Sequence, residues 1–537
     1  MNIIFKTTAV VFLCCGISLA QTAKKGGAPA ALTKDQIGDA KKLANEYYKN
    51  QNYKNALEGY SRLVLSDADN MEFNYRLGMC YLNTNENKPA AIEYLLKAST
   101  KKDCPKDVNY YLAEALRYAG EFDDAVENFE KYKEGNQGKL NPKFNVDNHI
   151  EWCYNAKELM KTSVDVKFKN LGKQVNSAGN DFRPICDAEG YNIIFSSNRK
   201  GNMGAITDGY GEFVTDIYST TFDTAAAKAK SVGPMVNSEG YEETLSLNAN
   251  GDKMLVFREG ADASTQVYFT ESAGKAWSKV MPVDDVFGFK EKLDGACFAP
   301  DGKTIWFAAE LKGGKGGKDI WYTEYNDEKK EYNAPKNAGD EINTKFDEAA
   351  PMFTADGRNF IFASEGHGSM GGYDIFVTDR ADESASWSKP TNAGYPINTV
   401  YDEKYICLTA DGMTGYISAI KKEGLGDYDI YRFTLKKSLL NNPAILFKAI
   451  LQKADGTPAK DALCNITKSE TGESFGGVIK SNPATGKILA ALPAGNYKLK
   501  VKGVKSGRLD ADFTVAGNEK GGKLEKTFKL LPPMKEK

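Results

Sequence analysis

From Asp181 to Ile420 the chain alternates apolar and polar residues in short runs separated by turns. A period of two sets successive side chains on opposite faces of a strand. Five segments repeat one pattern: DFRPICDAEGYNIIFSSNR from Asp181, EETLSLNANGDKMLVFRE from Glu242, LDGACFAPDGKTIWFAAE from Leu293, EAAPMFTADGRNFIFASE from Glu348 and EKYICLTADGMTGYISAI from Glu403. Each reads as a strand, a tight turn and a second strand. The turn glycines Gly190, Gly251, Gly302, Gly357 and Gly412 lie 61, 51, 55 and 55 residues apart. The Asp-Gly, Asn-Gly and Glu-Gly pairs supply the positive φ that such hairpins need. A third strand carries Asp216-Ile217-Tyr218, Asp319-Ile320-Trp321, Asp374-Ile375-Phe376 and Asp429-Ile430-Tyr431, and the second unit departs from this with Gln266-Val267-Tyr268. A short fourth strand leads to the next unit.

Strand-and-turn repeats of this length predict a β-propeller over residues 163–438, with one blade per unit. Five units imply five blades, with a sixth, degenerate blade as the alternative. The stretch Val164–Val175 reads as a lone outer strand that pairs with the last blade and closes the ring. Ahead of it the period is helical. Ala56, Ala90 and Ala125 are each followed four residues later by an aromatic, Tyr60, Tyr94 and Phe129. Each is preceded by a matching first helix, marked by Leu43-Ala44, Leu77-Gly78 and Leu112-Ala113. This predicts an α-solenoid over 35–162, with His149–Lys161 as a closing helix that shields the last repeat. After Pro443 short strands return, and residues 444–533 are expected to form a β-sandwich. The expected fold is therefore multidomain, an α-helical front followed by two all-β parts.

Composition narrows the function. A chain of 537 residues is too long for one core. A net charge of −2 gives no electrostatic footprint for nucleic acid. His149 and His367 are the two histidines, which argues against histidine acid–base chemistry or a multi-histidine metal site. No Gly-x-Ser-x-Gly elbow occurs, and the glycine run Gly313–Lys318 lacks the frame of a phosphate loop. No enzyme activity, catalytic residue, cofactor or metal is expected. Lys6, the apolar run Thr8–Leu19 and the small residues Ser18 and Ala20 read as a signal peptide over 1–20, cleaved before Gln21 and followed by a flexible segment over 21–34. Cys14 and Cys15 lack the small preceding residue of a lipid attachment site. Cys186, Cys297 and Cys407 fall on the first strands of three different blades, where they are expected to remain free and buried.

The candidate site is one propeller face. The loops between blades end in Val175-Asn176-Ser177, Val236-Asn237-Ser238, Ile342-Asn343-Thr344 and Ile397-Asn398-Thr399, and acidic residues follow. Asp181, Glu242, Asp294, Glu348 and Glu403 are expected to form an inner ring, beside a basic set that includes Lys312, Lys315 and Lys318. Such a face could bind a charged partner or a cation. The plainer account is that neighbouring blades neutralise one another through exposed pairs contributing ~0–1 kcal/mol each. That account is favoured, because residues recurring in every blade call first for an architectural reason.

The helical frame resembles the tetratricopeptide repeat. The central units resemble the TolB-like, WD40-like repeat of bacterial envelope proteins. The phrase Leu492-Pro493-Ala494-Gly495-Asn496-Tyr497 resembles the carboxypeptidase-regulatory-like sandwich. This order of domains resembles the PorE-type envelope proteins of Bacteroidetes, associated with type IX secretion and gliding motility. The resemblance implies a non-enzymatic scaffold in the periplasm, at the inner face of the outer membrane. Its partners would be protein subunits of an envelope complex, including a PorP-like barrel. The family's C-terminal OmpA-like domain is not expected here, since Lys537 follows closely on the last strand, so peptidoglycan contact is not implied. From the propeller alone, the alternative is capture of a glycan or peptide at the channel mouth.

Overall fold

The structure, a computed structural model, describes residues 32–532 except 137–138, 208–211, 223–226, 260–264, 273–275, 284–292, 355, 382–384, 461, 473, 504–506 and 520–521. The signal peptide and nearly all of the flexible segment lie outside the described residues. The chain forms two compact units that divide after Leu140.

The first unit contains six α-helices in pairs: α1 (Lys34–Lys49) with α2 (Tyr53–Ser66), α3 (Met71–Leu82) with α4 (Ala91–Ser99), and α5 (Val108–Ala119) with α6 (Phe122–Gly135). Side-chain caps fix where helices begin. The Asn52 carboxamide accepts from the Asn55 N–H, and Asn70 does the same for Phe73. The repeated small residues Ala56 and Ala125 are buried, with Tyr60 and Phe129 buried in the same unit; Ala90 instead lies half-buried in a short 3-10 turn, and the neighbouring Ala91, at the start of α4, takes the buried place. This is the helix-pair architecture the periodicity predicts.

The second unit opens with α7 (Val146–Leu159). This is the segment expected to close the solenoid. Trp152 Nε1 donates to the Glu365 carbonyl at 3.1 Å, and Asn155 Nδ2 to the Ser369 carbonyl at 2.9 Å. These two bonds tie it to a propeller loop within the second unit.

β1 (Val166–Asn170) comes next. Blade 1 is β2 (Asp181–Cys186), β3 (Asn192–Ser197), β4 (Asp216–Thr221) and β5 (Lys230–Ser231). Blade 2 is β6 (Glu242–Leu247), β7 (Lys253–Glu259), β8 (Thr265–Glu271) and β9 (Met281–Pro282). Blade 3 is β10 (Ala296–Phe298), β11 (Thr304–Ala309) and β12 (Asp319–Asn326), with β13 (Glu331–Tyr332) and β14 (Lys336–Asn337) both paired to β12. Blade 4 is β15 (Glu348–Phe353), β16 (Asn359–Ser364), β17 (Asp374–Asp379) and β18 (Thr391–Asn392). Blade 5 is β19 (Ile406–Leu408), β20 (Thr414–Ala419) and β21 (Asp429–Leu435), completed by β1, which pairs antiparallel with β21 from Val166–Leu435 to Asn170–Tyr431. The ring has five blades, closed by a strand from its own beginning.

Five apolar clusters account for five seams. Ile194 and Ile217 meet Met254 and Val256 between blades 1 and 2. Leu255 and Val267 meet Phe307 and Trp321 between blades 2 and 3. Trp306 and Ile320 meet Phe360 and Phe376 between blades 3 and 4. Ile361 and Ile375 meet Tyr431 and Phe433 between blades 4 and 5. Ile193 and Phe195 meet Tyr416 and Ile430 between blades 1 and 5. The alternating residues of the repeat therefore serve packing between neighbouring sheets.

The last domain is a sandwich of β22 (Ile445–Gln452), β23 (Leu463–Lys468), β24 (Ser474–Lys480), β25 (Lys487–Leu492), β26 (Gly495–Gly503), β27 (Gly507–Val515) and β28 (Lys523–Lys529). Its sheets run β25-β22-β28 and β24-β23-β26-β27. Phe447 stacks on Phe513 across the core at 4.3 Å, and buried Tyr497 donates its hydroxyl to the Pro493 carbonyl at 2.9 Å. That bond gives the Leu-Pro-Ala-Gly-Asn-Tyr phrase its structural role. The sandwich packs on the turn ends of the blades. Leu446, Leu489 and Ala491 cover Ala188 and Ala410, and Glu189 binds Lys448 at 3.2 Å and Lys487 at 3.0 Å.

Candidate functional site

Three of the repeated polar features have local structural roles. First, Asp181, Glu242, Glu348 and Glu403 open their blades fully or nearly fully buried. Each carboxylate accepts from the N–H and the hydroxyl of the Ser or Thr four residues earlier: Ser177, Ser238, Thr344 and Thr399. Second, Asn176, Asn237, Asn343 and Asn398 each bond both backbone groups of one third-strand isoleucine: Ile430, Ile217, Ile320 and Ile375. A side-chain amide thus imitates a missing strand neighbour. Third, Asp216, Asp319, Asp374 and Asp429 accept backbone N–H groups of the glycine-rich loop before them, from Met203, Gly316, Met370 and Leu425. The loop glycines are needed for close approach. A Cβ on Gly316 would stand 2.1 Å from the Phe346 carbonyl oxygen.

These contacts correct the expected acidic ring. Four of its five carboxylates turn into the protein, so they do not present charge to a partner. Burial raises all four: Glu348 to about 7, Glu403 well above the usual range, and Asp181 and Glu242 upward despite Arg199 and Arg258 beside them. Of the basic set, Lys312 is exposed and Lys315 reaches exposed Asp340 at 3.2 Å.

Asp294 is different, and its position in the repeat explains why. Blade 3 has Leu293 where the others have the acid, so Asp294 stands one residue later. On a strand, one step reverses the side-chain direction. Asp294 joins a charge cluster across the channel: Lys318 Nζ at 2.8 Å, Lys404 Nζ at 3.1 Å, the Tyr405 hydroxyl at 3.3 Å and Arg183 at 3.9 Å. Arg183 Nε also lies 2.9 Å from Glu243, in an ion pair not aligned as a hydrogen bond, and its guanidinium stacks 4.3 Å from the Tyr405 ring. Burial works to raise the Asp294 carboxyl, but Lys404, Arg183 and Lys318 outweigh it and hold it well below the carboxylate range. The backbone adapts to this crossing. Arg183 has φ of 51°, at a β-bulge, and a Cβ on Gly295 would stand 2.7 Å from Ala350 Cα.

Arg183, Lys404 and Tyr405 were not among the expected site residues. Their signal is divergence: they occupy positions where the five units disagree. With Glu243, Asp294 and Lys318 they join blades 1, 2, 3 and 5. A chamber of about 770 Å³ lies in the channel, lined by Ile185, Leu245, Phe298, Met352 and Ile406 from the five inner strands, and by Leu463 and Val478 of the sandwich. Among the described residues, no group of three or more His, Cys, Asp or Glu is placed to hold a metal ion. No helix among them is long and apolar enough to cross a membrane.

The molecule is a three-module protein: a helix-pair solenoid, a five-bladed propeller strapped by its own first strand, and a β-sandwich. Residues 41–108 match the tetratricopeptide repeat family. Among solved structures, TolB from Acinetobacter baumannii is similar at 13% identity and a TM-score of 0.31, over 48% of this chain and 55% of that one. The match thus spans about half the length of that TolB. The Yersinia enterocolitica type III secretion chaperone SycD, in complex with a peptide of the translocator YopD, matches at 20% identity and a TM-score of 0.20, over 24% of this chain and 98% of that one. The first tetratricopeptide repeat domain of Spaghetti, bound to an HSP90 peptide, matches at 16% identity and a TM-score of 0.20, over 24% and 97%. No curated protein matches the chain by sequence.

Proposed function

We propose that this protein is a non-enzymatic scaffold of the bacterial envelope, exported to the periplasm and held at the inner face of the outer membrane. It would assemble with protein subunits of a type IX secretion or gliding complex, a PorP-like barrel among them. One observation carries this reading: the recurring carboxylates, amides and glycines act within and between blades, as a rigid platform requires. The domain order supports it, since solenoids and propellers offer large surfaces for protein partners. The test is affinity purification from detergent-solubilised envelopes, with the solenoid, the propeller and the sandwich deleted in turn. Recovery of a defined partner set that is lost with one domain is expected. If the intact chain retains no protein partner, the scaffold reading fails.

The channel chamber favours one second reading, capture of a glycan or peptide. Its volume falls within the ~300–1,000 Å³ of ordinary ligand sites. Replacing Met352 by Trp would narrow it at its wall. A candidate ligand whose affinity is unchanged in that variant does not bind there.

A further inference from the structure

Seven cysteines lie among the described residues, none of them joined in a disulfide there. Two of them, Cys186 on β2 and Cys407 on β19, come from the first and last blades and meet where the ring closes. Both belong to the apolar cluster of that seam. Cys186 Sγ is 3.9 Å from the carbonyl oxygen of Leu408, the residue after Cys407. β2 and β19, the first strands of the two blades, pack against one another along this seam. The three blade cysteines are free, as expected, and these two are neighbours because the first and last blades adjoin in a closed ring. Cys297, on the matching strand of blade 3, is buried instead in the seam between blades 3 and 4. Cys186 and Cys407 also line the channel chamber, which gives small solutes a route to them.

We propose that Cys186 and Cys407 form a disulfide that staples blade 1 to blade 5 when the chain meets a disulfide oxidant. The oxidant is a dithiol–disulfide oxidoreductase or an oxidised low-molecular-weight thiol. One cysteine, as thiolate, attacks a sulfur of the oxidant and releases its other sulfur as a thiolate. The second cysteine then attacks the mixed disulfide. Two protein thiols lose two electrons, the oxidant's disulfide gains them, and the two protons end on the released thiols. The staple holds the same seam that β1 straps through β21. It joins residues far apart in the chain, where a cross-link restricts the unfolded state most. The neighbouring Cys407 and burial both disfavour the Cys186 thiolate, so exchange is fastest while the seam is still packing.

The test uses the full mature chain, refolded in mixed oxidised and reduced glutathione, acid-quenched, denatured, alkylated and weighed. Five of the seven cysteines are expected to take the label, and all seven after reduction. A non-reduced digest should contain one linked peptide pair, Cys186 with Cys407, that reduction separates. In the double variant Cys186→Ala with Cys407→Ala, the guanidinium midpoint should no longer depend on redox state, whereas the oxidised wild-type chain unfolds at a higher concentration than the reduced one. Seven labelled cysteines in the oxidised wild-type chain overturn the proposal, as does a linked pair other than Cys186–Cys407. This mapping needs no variant, so it decides the matter even if the double variant does not fold.

Discussion

Replacing Asp294 by Asn separates the channel cluster from the rest of the architecture. Asn keeps the shape of Asp but removes the charge shared by Lys318, Lys404 and Arg183. Removing one member of a buried ion cluster costs about 3–5 kcal/mol. The Lys318 and Lys404 side chains remain 36% and 22% exposed and keep part of their hydration. The expected loss is therefore at the lower end, ~3 kcal/mol. For a folding unit of a few hundred residues this lowers Tm by about 6–12 °C. The pH dependence has a definite sign. The carboxyl is depressed in the folded state, so the wild-type advantage is full above its unfolded value, about pH 4, and shrinks as pH falls further. Thermal unfolding followed by near-ultraviolet circular dichroism, at pH 7 and pH 3, measures both effects. A loss under ~1 kcal/mol at pH 7 would refute the reasoning, as would a gap that stays constant at pH 3.

Glu348→Gln should behave in the opposite way. Its carboxyl is raised to about 7 by burial, so its contribution is full below about pH 4 and is lost as pH rises through the folded value. Urea midpoints of variant and wild type should agree near pH 5 and favour the variant near pH 8.5, and a wild-type lead at both pH values would contradict this. Asn343→Ala removes bonds to Ile320 N, Ile320 O and Asn337, at 2.8, 2.9 and 2.9 Å. The expected cost is ~2–3 kcal/mol, with faster hydrogen exchange at the Ile320 amide, and unchanged exchange there would count against the clamp. Deleting residues 165–171 removes β1 and bares the edge of β21. Oligomers are expected by light scattering, and a stable monomer would show that the strap is dispensable.

Blade number and domain order were legible because the repeat is dense. Turn glycines, Asp-Ile-aromatic strands and Asn-Ser/Thr loops recur at regular intervals, and each maps onto one contact. Closure by Val164–Val175 was legible too, since that stretch matches the strands before later units. The role of the carboxylates was harder to read. Charge and spacing made Glu348 and Asp294 look alike, yet a shift of one residue turns one into the blade and the other across the channel. Arg183 and Lys404 meet only when the ring is closed, so no local window contains their relation. The helical period of His149–Lys161 carries no sign of the bonds that Trp152 and Asn155 make to a loop more than two hundred residues later. The strands that carry Cys186 and Cys407 likewise pack together only in the closed ring.

The strap at β1 has a consequence for how the chain matures. Synthesis proceeds from the N-terminus, so Val166 is made long before Leu435, its partner. The helical segment before it is finished early and needs nothing from later residues to complete its pairs. The blades can form one after another, yet their circle stays open until the fifth arrives and takes up a strand that has waited throughout. Completion of the ring is therefore a late checkpoint. A chain halted after the first blade and before Leu435 would carry a waiting strand on an unfinished arc, and quality control could recognise it by that strand.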